Sequence, residues 1–181
     1  MDCSDEGLFA QVQQGDQEAF RTLVERYQDR VYSLALRIVR QPQDAQEAAQ
    51  QAFLQAWHKR QSFNERWRFR PWLYRLVANL CIDEYRRQQR HRAALPQQRQ
   101  AHEGPETPEQ AYGRTEWRQR LEEALTAVPI EARMVLVLCY IDGLSYGDIA
   151  RIRGITVATV KSQLRRAKMI LRERLGSAYE V

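Results

Sequence analysis

Cysteine is scarce in this chain: three among 181 residues, at positions 3, 81 and 139. Thiols this few and this far apart form neither a disulfide framework nor a zinc cluster, and they suit a reducing compartment. Cys81 and Cys139 read as ordinary helix-borne thiols and Cys3 as part of an N-terminal tail. Long apolar runs are missing too, since none approaches the roughly 20 residues of a membrane span. The opening Met1-Asp2-Cys3-Ser4-Asp5-Glu6 is acidic and lacks the charged-then-apolar order of a signal peptide. A cytoplasmic protein is expected.

Histidine is the most informative shortage. Gly143-Leu144-Ser145-Tyr146-Gly147 matches G-x-S-x-G, the pattern around a hydrolase's nucleophilic serine, but the chain has only His58, His91 and His102, and none follows Ser145. That motif needs a strand before the serine, a helix after it and a downstream histidine to take the proton. The apolar Met134–Ile141 run could pass for the strand. The base has no candidate, so the match is a coincidence of two glycines. No catalytic residue, metal site or cofactor is expected.

What is present points elsewhere. The length suits one large domain or two small ones, and 44% hydrophobic residues can fill their cores. The net charge of +5 is unevenly spread. Residues 67–92 carry seven basic and two acidic side chains, and residues 151–174 carry eight and one, while the rest of the chain is slightly acidic. Two separated basic segments read as two contacts with a polyanion, against the alternative of merely solvated helix faces.

Glycine and proline are sparse before position 90, and the apolar spacing there is helical. Asp16 fits an N-cap, followed by Phe20, Leu23, Val24, Tyr27, Val31, Leu34 and Ile38 at steps of three and four, which predicts one long amphipathic helix ended by Pro42. Asp44 is placed to cap the next helix, whose face is Ala45, Ala48, Ala49, Ala52, Phe53, Ala56 and Trp57. A polar loop, Gln61–Arg66, comes next, then a helix with Pro71 in its first turn and Leu73, Leu76, Val77 and Leu80 inward. From Gln88 to about Pro108 periodicity vanishes, as in an extended linker. It resumes at Trp117, Leu121, Ala124, Leu125 and Val128, breaks at Pro129 and continues through Met134–Ile141. The expected class is all-α: two small helical bundle domains joined by an extended linker.

The last stretch carries the function. Ser145 with Asp148 three residues on is similar to a capping box, Ile149 and Ile152 point inward, Gly154 turns the chain, and Thr156 can cap a second helix. In that helix Val157, Val160, Leu164, Ala167, Leu171 and Leu175 form the expected buried stripe, leaving Thr159, Lys161, Ser162, Gln163, Arg165, Arg166 and Lys168 outside. Such side chains suit phosphates and base edges: Arg and Lys for guanine, Gln for adenine, Thr for a thymine methyl. Helix, tight glycine turn and second helix with a basic outer face are the parts of a helix-turn-helix.

The resemblance is then specific. Leu144-Ser145-Tyr146, Asp148-Ile149-Ala150, Gly154-Ile155, Thr159-Val160-Lys161-Ser162 and Leu164-x-Arg166-Ala167 resemble the C-terminal promoter-reading domain of bacterial extracytoplasmic-function sigma factors, a group of the sigma-70 family. Asp44-Ala45, Gln50, Ala52-Phe53 and Ala56-Trp57 resemble the family's helix that docks on the RNA polymerase clamp. Phe69-Arg70-Pro71-Trp72-Leu73-Tyr74-Arg75-Leu76, Asn79 and Asp83 resemble the helix that opens and reads the −10 element. The similarity runs from about Gly15 to Leu175 in the family's order, interrupted by the linker.

The resemblance implies a sigma region 2 domain over 1–90, a flexible linker over 91–112 and a sigma region 4 helix-turn-helix domain over 113–181. It implies polymerase contacts at Asp44, Glu47, Gln50, Phe53 and Trp57. It implies −10 contacts at Asn64, Trp67, Phe69, Trp72, Arg75 and Asn79, and −35 contacts at Thr159, Lys161, Ser162, Arg165 and Arg166. The expected partners are core RNA polymerase (clamp and flap), double- and single-stranded promoter DNA, and an anti-sigma factor that masks these faces and could hold the protein at the membrane. The −10 chemistry is sensible in its own right: holding single-stranded DNA takes aromatics for stacking and cations for phosphate. Trp67, Phe69, Trp72 and Tyr74 interleaved with Arg68, Arg70 and Arg75 are that composition. One departure is that Gln46 and Gln51 stand where the family's clamp-docking helix commonly has carboxylates. The rivals are a helix-turn-helix regulator that acts as a dimer without docking on polymerase, and a basic helical adaptor for an acidic protein.

Overall fold

A computed structural model describes residues 4–64, 68–94 and 116–176. The described residues form eight α-helices and one short 3₁₀ turn, with no strand among them. They belong to two compact units, the first running to Arg87 and also including Arg151–Gly154.

The first unit opens with α1 (Asp5–Gln13), a helix that is not among those the residue pattern predicts. Ser4 Oγ accepts from Gly7 N at 3.1 Å, and Asp5 and Glu6 sit in the first turn, where the positive end of the helix dipole favours them. Gly15, at φ 97°, ends the helix: its N–H reaches Val12 O while Asp16 N–H reaches Gln11 O. That paired C-terminal closure needs a residue in the left-handed region. Asp16 then caps α2 (Gln17–Val39) by accepting from Glu18 N and Ala19 N.

α2 buries Leu23, Tyr27, Val31, Leu34 and Ile38 of the predicted stripe and leaves Phe20 and Val24 half-buried. It ends at Arg40, whose φ of 63° is the one positive value at a non-glycine among the described residues. Pro42 opens α3 (Pro42–His58) rather than merely closing α2. Its fixed φ and missing N–H cost nothing at a first helical position. The cap is Gln41, without a side-chain bond, so Asp44 lies inside the first turn and does not cap. α3 buries Ala45, Ala48, Ala49, Ala52 and Ala56. These small side chains let it lie close along α2.

After the 3₁₀ turn Arg60–Ser62 comes α4 (Phe69–Ala94). It extends through 91–94, past the point where apolar periodicity stops, because the Gln- and Arg-rich segment still consists of good helix formers. The core between α1, α2 and α4 is aromatic. Phe9, fully buried, lies 4.8 Å from Phe63, 4.9 Å from Phe69 and 5.1 Å from Trp72 between ring centroids, and Phe69 also meets Tyr27 at 5.3 Å.

The second unit comprises α5 (Glu116–Ala127), α6 (Ile130–Tyr140), α7 (Tyr146–Arg153) and α8 (Val157–Leu175). The Met134–Ile141 run is therefore helix, not strand, and a serine elbow lacks its strand. α8 packs on α5 and α6, with Val128, Ala132 and Ala167 at the contact and Leu136, Ile170 and Leu171 around it. Arg133 is buried, yet its guanidinium donates to Val128 O at 3.0 Å and Thr126 O at 3.3 Å, closing the end of α5 across Pro129. Among the described residues no helix is long and apolar enough to cross a membrane, and no three potential ligands gather at a metal site.

Candidate nucleic-acid and polymerase surfaces

The helix-turn-helix is built from local chemistry. Ser145 Oγ accepts from Asp148 N at 3.1 Å and donates to Asp148 Oδ2 at 2.7 Å, so the serine of the G-x-S-x-G match is a helix cap. α7 buries Ile149 and Ile152. It closes at Gly154, φ 64°, with Gly154 N–H on Arg151 O and Ile155 N–H on Ala150 O. Thr156 Oγ1 then accepts from Thr159 N at 3.1 Å and starts α8 two residues later than the glycine.

On α8, Val160, Leu164 and Ala167 are buried and Leu171 and Leu175 half-buried, while Val157 is 41% exposed and leaves the predicted stripe. A first-turn residue has no preceding turn to cover it. Lys161, Ser162, Arg165 and Arg166 are all exposed, with positions four apart stacked along one face. Ser162 Oγ donates to Thr159 O at 3.1 Å. Thr159 is half-buried, its hydroxyl 2.9 Å from that of Thr156. Gln163 is half-buried too, with Oε1 out of solvent, and does not belong to the outer face.

Beside that face lies a groove of about 480 Å³ lined by Tyr140, Tyr146, Lys161, Arg165, Lys168 and Met169. Lys168 Nζ sits 4.9 Å from the Tyr140 ring centroid, and a hydrogen bond to Tyr140 raises its pKa. Tyr140 and Met169, both more than half exposed, were not singled out by the sequence pattern; the run of apolar residues around Tyr140 reads as uniformly buried.

On α3, Glu47 and Gln50 are exposed and Asp44 and Phe53 half-buried. Trp57 is half-buried, packed on Phe20 at 5.2 Å with the Arg60 guanidinium 4.4 Å over its ring. Gln50 and Phe53 share a groove of about 420 Å³ with Gln46 and Ala49 of α3 and Val24, Gln28, Asp29 and Tyr32 of α2. Leu54, 52% exposed, is an apolar side chain on this surface that helical periodicity assigns to no face.

The −10 candidates divide. Asn64, Arg75 and Asn79 are exposed, the last two one turn apart on α4. Trp67 lies outside the described residues. Phe69 and Tyr74 are fully buried and Trp72 nearly so, which corrects the expectation of a solvent-facing aromatic platform. The rings of Phe69 and Trp72 pack among Phe9, Tyr27 and Phe63, where aromatic side chains bury a large apolar area. Arg70 rests 5.2 Å over the Tyr74 ring. What α4 offers outward is polar and cationic.

The family model for Sigma-70 region 2 matches residues 23–91, and that for Sigma-70, region 4 matches residues 118–171. The chain is 33% identical over 174 residues to the ECF RNA polymerase sigma factor SigW of Bacillus subtilis (strain 168), a match spanning 91% of this chain and 93% of that protein. It is 34% identical over 174 residues to the ECF RNA polymerase sigma-E factor of Escherichia coli (strain K12), spanning 91% of each. The solved structure of CnrH in complex with the cytosolic domain of CnrY superposes with a TM-score of 0.71 at 26% identity, over 97% of this chain and 99% of that one.

Proposed function

The chain belongs to the extracytoplasmic-function group of sigma-70 RNA polymerase sigma factors, and from that membership we propose how its surfaces share the work of directing polymerase to promoters. The unit assigned to residues 1–90 docks on the polymerase clamp through Asp44, Glu47, Gln50 and Phe53, with Trp57 packed behind them. It melts and holds the −10 element with Asn64, Arg75 and Asn79. The unit assigned to 113–181 places α8 in the major groove of the −35 element, with Lys161 and Ser162 at base edges and Arg165 and Arg166 nearer phosphate. Residues 91–112 join them.

The observation that carries this reading is the outer face of α8: four exposed donors above a buried Val160–Leu164–Ala167 stripe, started by a threonine cap immediately after a glycine turn. Early positions of a recognition helix reach bases, while later cations contact the backbone. The protein supplies binding and specificity and no chemistry of its own, and it works in the cytoplasm, where its promoters are. CnrH was solved with the cytosolic domain of CnrY; by analogy an anti-sigma partner covers these faces and can hold the factor at the membrane. A pull-down with core polymerase, followed by run-off transcription on genomic promoters, tests the whole reading. Core-dependent transcripts that start at defined promoters are expected. DNA binding without retention on core polymerase would favour the free-standing regulator instead.

A further inference from the structure

The short turn before Asn64 is held from outside by α1. Gln13, the last residue of that helix and half-buried, donates through Nε2 to Arg60 O at 3.0 Å and to Phe63 O at 3.3 Å. In return Gln61 Nε2 donates to Gln13 O at 2.5 Å. One turn earlier on α1, Phe9 packs edge-on against Phe63. The rest of the turn is closed by Ser62 Oγ on Lys59 O at 2.7 Å and by the Arg60 guanidinium on Trp57 O at 2.9 Å.

The bond to Phe63 O matters most. That carbonyl belongs to the peptide plane whose nitrogen is Asn64's, and the plane is rigid. Fixing its oxygen fixes the direction in which the chain delivers Asn64. Arg60 O already accepts from Phe63 N at 3.3 Å within the turn, so the second amide proton of Gln13 ties both ends of the turn to one side chain. A glutamine is suited to this because its amide carries two donors in one plane.

We propose that Gln13 is a positioning residue for −10 readout: it acts through the Phe63–Asn64 peptide to set the pose in which Asn64 meets its base. This rests on the assignment of Asn64 as a −10 contact. A side chain on the first helix thereby becomes a determinant of promoter specificity without touching DNA.

The test uses the full-length protein assembled into holoenzyme and a promoter library randomised across the −10 element with the −35 element held constant. Gln13→Leu keeps the volume and removes both donors. We expect it to flatten base preference at the position that Asn64→Ala flattens, by about five- to tenfold, in line with the net worth of two hydrogen bonds. Core affinity and −35 preference should stay at wild-type values. Gln61→Ala, which loosens the same clasp from its exposed side, should give a smaller change at the same position. Unchanged −10 preference in Gln13→Leu while Asn64→Ala flattens it overturns the proposal and leaves the −10 assignment standing. An unchanged preference in Asn64→Ala itself overturns the assignment, and the proposal with it. Equal losses of core affinity and −10 preference in both Gln13 and Gln61 variants would make the clasp structural only, and also overturn it.

Discussion

Phe69→Ala separates a packed aromatic from a DNA-stacking one. Phe69 is fully buried and its ring centroid lies 4.9 Å from Phe9, 5.3 Å from Tyr27 and 6.2 Å from Trp72. Truncation removes the transfer free energy of the ring and leaves a cavity that helices on three sides cannot easily close, a cost of about 3–5 kcal/mol. That range includes the ring-pair terms of about 0.5–1.5 kcal/mol each, which do not simply add. A domain of this size is stable by only about 5–15 kcal/mol, so most of the reserve of the first unit would be lost. The assay is hydrogen–deuterium exchange read by mass spectrometry on peptides from α1, α2 and α4, because it reports this unit separately from the second. Amides that exchange through global opening of the unit should do so faster by roughly two orders of magnitude or more, with α5–α8 unaffected. Arg75→Ala, at an exposed position on the same helix, should leave exchange in place and weaken −10 opening. Wild-type exchange in Phe69→Ala together with loss of promoter melting would refute the burial argument and restore the stacking role.

Three further outcomes follow from the same structure. Ser162→Ala and Lys161→Ala should change which −35 bases are preferred, by about 1–3 kcal/mol for a bidentate contact and less for a single bond; Arg166→Ala should weaken all promoters alike and lower the salt slope by roughly one. Transcription from randomised −35 elements decides this, and a preference untouched by both Ser162→Ala and Lys161→Ala would make α8 structural. Glu47→Lys should weaken core binding in a competition assay, since Glu47 is exposed on α3 beside Gln50; unchanged affinity would remove α3 from the docking surface. Cys81 is buried, and desolvation, with Asp44 adding to it, pushes its thiol from 9.0 up to about 12. The neutral thiol is thus favoured in the folded state, so its contribution is complete below 9.0 and is lost as pH rises toward about 12. At pH 10.5 the first unit should have lost about 2 kcal/mol relative to Cys81→Ala, which lacks the group. Parallel denaturation curves for the two proteins from pH 8 to 10.5 would contradict it.

The residue pattern alone determined whatever rests on local rules. The stripes of α2 and α8 need only a 3.6-residue period, the Asp16, Ser145 and Thr156 caps need an oxygen two or three residues before an N–H, and the Gly154 turn needs a residue content at positive φ. That was enough to place a helix-turn-helix and to put Lys161, Ser162, Arg165 and Arg166 on its outer face. Residue chemistry could say that Phe69, Trp72 and Tyr74 are able to stack, but not on what. Only the packing of α1, α2 and α4 decided that Phe69 and Trp72 stack on protein and that Tyr74 is buried. The same holds for α1 itself. Nine residues are too few to be a stable helix in water, and a run with three buried apolar residues, Leu8, Phe9 and Val12, is too short to declare its period. Its stability comes from distant partners: Phe9 among the rings, the Asp5 carboxylate bonded to Tyr27 and to Arg26, and Glu6 accepting from the Phe69 N–H at 3.2 Å. Those partners lie 21 to 63 residues away along the chain, so no window of local sequence contains the reason that this helix exists or that Gln13 reaches the turn before Asn64.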